Sequence, residues 1–286
     1  MPELPEVESL ARFLAEQATG QVVQSAELAA ISALKTYDPP LDALVGRTVT
    51  GAARRGKFLV VEAEPLYLVL HLARGGWLRW MDAVPASRPR PGKGPLALRV
   101  RLEGGAGFDV TEAGTEKRLA LHVVRDPQEV EGIARLGPDP LDPDFDAASL
   151  RAVLAAQGGQ LKSALTTQSV VAGVGNAYSD EALHVARLSP FKAVSRLTDD
   201  EAERLHAALV QVLGDAVARS AGLPASGLKA EKRSGMRVHG RTGQPCPVCG
   251  DPVRAVSFAT SSLQYCPTCQ TGGKPLADRR LSRLLK

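Results

Sequence analysis

Two stretches of the chain carry residue types at spacings that do chemistry. Cys246, Cys249, Cys266 and Cys269 follow the pattern C-x2-C-x16-C-x2-C. Each close pair sits in a turn sequence, CPVCG or YCPTC, whose Pro and Gly let both sulfurs aim at one point. Four thiolates so placed match a tetrahedral zinc ion. A pair of disulfides is the main alternative, without a secretion signal to support it, and a redox Cys-x-x-Cys is the weaker one. A closed four-sulfur site leaves no position for substrate. One zinc is therefore expected as architecture, holding a hairpin too small to fold alone.

The other stretch is the opening octapeptide, MPELPEVE. One reading is a helix start, with proline near the first turn and acids at the positive end of the helix dipole. The other has Met1 removed, so that Pro2 presents a free secondary amine with a carboxyl group beside it. The octapeptide does not choose between them. A weaker signal is QSVVAGVGNAYSDE at 168–181, a Gly-x-Gly between helical segments. Asn176 is expected to cap the second helix, with Asp180 and Glu181 soon after. Such a turn either offers backbone N–H groups to a phosphate or closes a helical hairpin with no ligand.

These residues need elements to position them. Glu6 to about Ala18 has the period of an amphipathic helix, with Val7, Leu10, Ala11 and Leu14 on one face. From Val22 to Val124 the pattern is of strands broken by Gly and Pro, with an exposed loop at 84–95. Residues 136–146, LGPDPLDPDFD, read as a linker. Helical periodicity follows at 147–157, 160–168, 176–187 and 198–221, and helix signals lapse from Gly222. The expected class is α+β: a β-sandwich with a packed helix (1–135), the linker, a helical domain (147–235), a zinc finger (236–270) and a basic tail (271–286).

Composition adds bounds. Of 286 residues, 44 % are hydrophobic and 23 % charged, as in ordinary globular proteins. No run of about eighteen apolar residues suggests a membrane span, and no basic-then-apolar start suggests a secretory signal, so a reducing cytoplasm is expected. Net charge is +4, but Ala225–Lys286 holds 11 Lys and Arg against 3 Asp and Glu. That asymmetry suits a polyanion surface or a solvated tail. Leu281, Leu284 and Leu285 form one face of a short tail helix, with Arg279, Arg280, Arg283 and Lys286 on others; it either adds contacts to the polyanion or docks on its own domain. The five histidines show no ligand spacing and are expected to be structural or on the surface.

Taken in order, PELPEVE, RRGKFLVVE, LGPDPL, QSVVAGVGNAYSDE, VHGRTGQPC and the four-cysteine finger resemble the formamidopyrimidine-DNA glycosylase / endonuclease VIII family, from Met1 to Gln270. PELPEVE is more similar to the formamidopyrimidine branch. The resemblance implies a β-sandwich lobe, a helix–two-turn–helix lobe with a zinc finger, and damaged or abasic duplex DNA between them, bound by a monomer. It implies Pro2 as nucleophile, Glu3 as general acid/base, Glu6 as a supporting carboxylate and Lys57 near phosphate and sugar. Asn176, and with less support Lys162, would contact backbone phosphate. The activity implied is a bifunctional glycosylase and abasic-site lyase for oxidised or ring-opened bases.

The sequence departs from that family where the lesion is read. HLARGG (71–76) stands for HLGMSG, so Arg74 replaces a void-filling Met. The Arg–Phe pair reads Arg118–Leu119, from which Leu119 is expected to wedge between bases and Arg118 to face the orphaned base. A histidine cluster before the next strand is missing, and the finger arginine position is Ser261, which carries no charge. Arg254 is a conceivable substitute. These departures leave open a second class, a catalytically weak binder of abasic or distorted sites, and a third, a zinc-ribbon adaptor, which the amino-terminal motif disfavours.

Overall fold

The structure, a computed structural model, describes residues 1–92, 94–258 and 261–277. The tail residues Leu281, Leu284 and Leu285, with their flanking Arg and Lys residues, lie outside the described residues. The chain divides into two compact units. One is Met1–Arg135 with Ser220–Lys229; the other is Leu136–Arg219 with Ala230–Lys286.

In the first unit, helix α1 spans Leu4–Ala18, starting two residues ahead of the sequence reading. Glu3 is its N-cap. The Glu6 carboxylate accepts the Glu3 backbone N–H at 2.8 Å, and the Glu3 side chain accepts the Glu6 N–H. This reciprocal pair satisfies two of the orphan donors of the first turn, with Pro5 supplying a fixed φ where no donor is needed. Val7, Leu10 and Leu14 are fully buried. Each such side chain contributes roughly 1.5–3 kcal/mol of transfer free energy, and α1 packs them against β2 and β3.

The strands are β1 (Val23–Leu28), β2 (Gly51–Arg55), β3 (Phe58–Ala63), β4 (Leu66–His71), β5 (Gly76–Met81), β6 (Leu96–Leu102), β7 (Gly107–Glu112) and β8 (Ala120–Val124). They form two antiparallel four-stranded sheets, ordered β1-β6-β7-β5 and β2-β3-β4-β8. Leu59, Leu70, Leu78, Leu98 and Val110 share one core with α1. Helix α2 (Glu131–Ala134) follows. The stretch PLYLVLHLARGGWLRWM is cut in two: β4 belongs to one sheet and β5 to the other. The chain crosses between them at 72–75, where Ala73 takes the left-handed φ of 49°. It crosses back at 113–119, between β7 and β8.

The second unit is helical: α3 (Ala147–Gln157), α4 (Leu161–Thr166), α5 (Asn176–Val185) and α6 (Asp199–Ser220). Asp146 caps α3, accepting the Ser149 N–H at 2.8 Å. Helix does not lapse at Gly222, because α7 covers Leu228–Gly235 and α8 covers Pro267–Thr271. Within LKAEKRSG only Leu228 is a buried apolar side chain, so no period betrays α7. Helix α8 starts from a sulfur cap, with Cys266 Sγ accepting the Cys269 N–H. Between α7 and α8 lies a hairpin of β9 (Arg254–Ser257) and β10 (Ser262–Tyr265).

Candidate functional site

Strand register gathers the candidate residues of the first unit at one end of its sandwich. Phe58 pairs with His71, His71 with Ala120, and Gly76 with Glu112. The β2–β3 turn carrying Lys57, the crossover carrying Arg74 and the crossover carrying Arg118 therefore emerge side by side. The start of α1 lies by the same turn, since Arg54 on β2 grips Glu8 at 2.9 Å. Pro2, Glu3 and Glu6 are buried there, the two carboxylates only 3 % and 2 % exposed, while Met1 is 47 % exposed. Lys57 follows Gly56, whose φ of 54° bends the chain, and is itself 7 % exposed. Its charge is felt by His71: burial first, then Lys57 and His122, hold that imidazole below its usual range and so neutral.

The two crossovers are built tightly. Ala113 N–H bonds to Gly75 O at 3.0 Å. A Cβ at Gly75 would stand 2.2 Å from Ala113 O, so only glycine fits. Glu112 is the residue the sequence did not flag. Its carboxylate, 4 % exposed, accepts the backbone N–H groups of Arg118 and Leu119 at 2.7 and 2.9 Å and fixes the loop. Arg74 is exposed, and Arg118 is exposed and forms a surface pair with Glu116 at 3.2 Å. Leu119 departs from expectation. It is 2 % exposed and packs in the core, so its side chain is not presented for insertion between bases.

The second unit places its candidates differently. Gly175, not Asn176, caps α5; Asn176 is the first helical residue and donates Nδ2 to Ser262 O at 2.8 Å. Lys162 is not a surface contact. Its ammonium donates to Asn176 O at 2.6 Å, Ser179 Oγ at 2.8 Å and Asp180 Oδ1 at 2.6 Å, so three internal acceptors take its three protons. Asp180 also accepts from His239 Nδ1 at 2.7 Å and from Gln264 N–H on β10 at 3.2 Å. Glu181 accepts the backbone N–H groups of Arg237, Val238 and His239 at 2.7, 2.9 and 2.8 Å. Burial outweighs those bonds and holds its carboxyl above the usual range. Asp180 and Glu181 are therefore ties to the finger. The signal was available in principle: α5 is buried at every position from Ala177 to His184, and acids inside such a helix need partners.

The four sulfurs lie within 4.8 Å of one another, with Cys249–Cys266 at 3.4 Å and Cys246–Cys269 at 3.9 Å. A zinc–sulfur bond of about 2.3 Å in a tetrahedron implies sulfurs about 3.8 Å apart, so the donor set fits. Burial pushes the Cys266 thiol up to about 11, and Cys269 higher still, which a dication at the centre would reverse. Around them, Gln270 accepts the Cys266 N–H at 2.8 Å, and His184 Nε2 lies 3.2 Å from Cys246 Sγ. Burial lowers His184 to about 4 and keeps it neutral. Ser261 is exposed, and its carbonyl closes the hairpin turn by accepting the Phe258 N–H at 2.7 Å. Arg254 pairs with Tyr265 at the opposite end of that hairpin, which rules out the substitution for a charge at position 261.

Comparison with known proteins gives one answer along the chain. Residues 1–120 match the formamidopyrimidine-DNA glycosylase N-terminal domain, 136–225 the formamidopyrimidine-DNA glycosylase H2TH domain, and 243–272 the zinc finger found in FPG and IleRS. A formamidopyrimidine-DNA glycosylase of Symbiobacterium thermophilum is 36 % identical over 291 residues, covering 98 % of this chain and 93 % of its own. An uncharacterized formamidopyrimidine-DNA glycosylase-like protein of Mycobacterium tuberculosis is 61 % identical over 151 residues, 53 % of this chain and 94 % of its own. The MutM (Fpg) structure from Thermus thermophilus superposes with a TM-score of 0.79 at 33 % identity, covering 96 % of this chain and 100 % of that one. Lactococcus lactis Fpg, in complex with abasic-site DNA, gives 0.82 at 26 % identity, covering 94 % and 99 %. With the finger match, the cysteine cluster is a structural site for one zinc. Among the described residues no helix is long and apolar enough to cross a membrane.

Proposed function

The chain belongs to the formamidopyrimidine-DNA glycosylase family and is a DNA glycosylase; from that premise we propose that it excises oxidised or ring-opened bases, purines favoured, through a Schiff base on Pro2 and then cuts the strand as an abasic-site lyase. Its substrate is duplex DNA bearing a damaged base or abasic site, a reading supported by the Lactococcus lactis structures with Fapy-dG-containing and abasic-site-containing DNA, and it acts as a monomer.

The observation that carries the reading is the common placement of the α1 start, Lys57, Arg74 and Arg118 at one end of the sandwich. Once Met1 is removed, the Pro2 nitrogen attacks C1′ and the base departs with a proton from Glu3. An α-amine near roughly 7.7–8.0 is far more often unprotonated at neutral pH than a lysine near about 10.4. The capping pair with Glu6 holds Glu3 at the helix start, beside that nitrogen. The C1′–O4′ bond then breaks, O4′ taking a proton, and an iminium joins C1′ to the Pro2 nitrogen; it acidifies C2′, and loss of that proton expels the 3′ phosphate. Lys57 supplies positive charge near phosphate and sugar. Arg74 and Arg118 enter the space left by the flipped nucleotide, and Asn176 contacts backbone phosphate.

Ser261 brings no cation to the second, δ-elimination, so the main product should carry a sugar fragment on its 3′ end. A gel showing only phosphate-terminated 3′ ends would overturn that point. The competing reading, a weak binder of abasic sites, draws on the same residue. Borohydride trapping on duplexes with different lesions, with Pro2→Gly as control, separates the two. Trapping on several damaged bases, lost in the variant, supports a glycosylase acting through Pro2. Trapping on abasic DNA alone supports the binder.

A further inference from the structure

Strand β5 is an edge of its sheet, and the segment 224–229 lies along it. Trp77 donates its indole N–H to Ala225 O at 3.0 Å, and the Lys229 ammonium sits 4.4 Å from the centre of the same indole. Ala225 and Leu228 are 4 % and 1 % exposed, so the segment is anchored. Between it, β5 and Phe13 of α1 is a cavity of about 440 Å³, the size of small-molecule sites.

The walls combine Phe13, Trp77 and Trp80 with Arg79, Thr111 and Lys229, and among the described residues no carboxylate lines them. Trp80 sends its N–H to Asp82 at 3.1 Å, so both indole N–H groups are already engaged, and Lys229 covers one face of Trp77 while the other lining ring surfaces face the cavity. Phe13 meets Trp80 edge-on, centroids 5.9 Å apart at 83°, which fixes the ring. Arg79 stands opposite Asp109 in register, but Arg99 takes both oxygens of that carboxylate at 2.8 Å each, and Arg79 remains exposed. Aromatic faces beside two cations select a ligand that is planar and negatively charged; a neutral apolar ligand would strip water from the cations and return nothing. None of these residues belongs to the proposed reaction.

We propose that this cavity binds one nucleotide unit, its base against the aromatic side chains and its phosphate on Arg79 and Lys229. The chemistry is shared by a free mononucleotide and by the terminal nucleotide of a single strand. The chain has two tryptophans, and both line the cavity, so intrinsic fluorescence is a local probe. The zinc-loaded full chain is titrated with dGMP, guanosine, inorganic phosphate and a 5′-phosphorylated trinucleotide. The expected result is a saturable change with dGMP or the trinucleotide, at least tenfold weaker with guanosine, and none with phosphate. Arg79→Ala should weaken it at least tenfold while base excision from a short duplex stays unchanged. Tighter binding of the trinucleotide identifies a strand end, and of dGMP a free nucleotide. No saturable change with either, or one that Arg79→Ala leaves intact, overturns the proposal. The readout involves no excision, so it stands apart from the reaction proposed above.

Discussion

Glu3 and Glu6 are three residues apart and hold each other, whereas Asp180 and Glu181 are adjacent and hold groups 18 to 84 residues away. Both pairs are buried acids, one at the start of a helix and the other in the middle of one, and they do different work. The first shapes a single turn at the chain's start, beside the proposed nucleophile. The second clamps two segments, the loop at 237–239 and strand β10, to α5, so that Asn176 and the finger hairpin share one body. A local pattern shapes one turn; a long-range buried network joins α5 to the finger.

That contrast can be broken experimentally. Zinc removal should have the largest effect. Chelation should abolish duplex binding, by at least a hundredfold, and erase the amide signals of residues 246–269, while those of the first unit stay put. Retained binding without metal would refute the architectural role. Next comes the buried network. Asp180→Asn removes a buried carboxylate from the Lys162 ammonium and should cost about 3–5 kcal/mol in denaturant unfolding. Glu181→Gln places an amide donor against a backbone N–H and should cost about 1–3 kcal/mol. Glu6→Gln keeps an acceptor for the Glu3 N–H. Its stability cost should stay below about 1 kcal/mol, while trapping on damaged DNA falls at least tenfold. Equal stability losses for Glu6→Gln and Asp180→Asn would erase the distinction.

The smallest effect is on pH. His71 and His122 are both held below the ordinary histidine value, His71 by burial, Lys57 and His122, and His122 by burial and Lys35. Below about 6.5 the unfolded chain takes up protons that the folded one resists. Stability of the first unit should therefore be fully present above that value and decline as pH falls through it. A melting midpoint that rises on acidification from pH 7 to 5.5 would contradict the placement of those rings.

The same contrast explains what was legible in the sequence. The Cys-x2-Cys pairs, the α1 apolar face, the strand-rich first half and the Gly-x-Gly joint are local periodicities or spacings, and the fold class and zinc site followed from them. Lys162 and Leu119 were misplaced because a lone lysine or leucine gives no sign of its partners. Those partners lie 14 to 18 residues away for Lys162, and across a sheet crossover for Leu119. Arg74 was readable as a cation in place of a void-filling Met, but the crossover that sets it beside Arg118 comes from the pairing of β5 with β7. Helix α7 went unseen because a single buried leucine makes no period.

The most direct test is to reduce the covalent intermediate with borohydride, digest it, and sequence the DNA-bearing peptide by mass spectrometry. The account predicts a chain lacking Met1, with the sugar carbon joined to the Pro2 nitrogen. A linkage on Lys57 or any other lysine, or Met1 retained on enzyme that still excises bases, would contradict it.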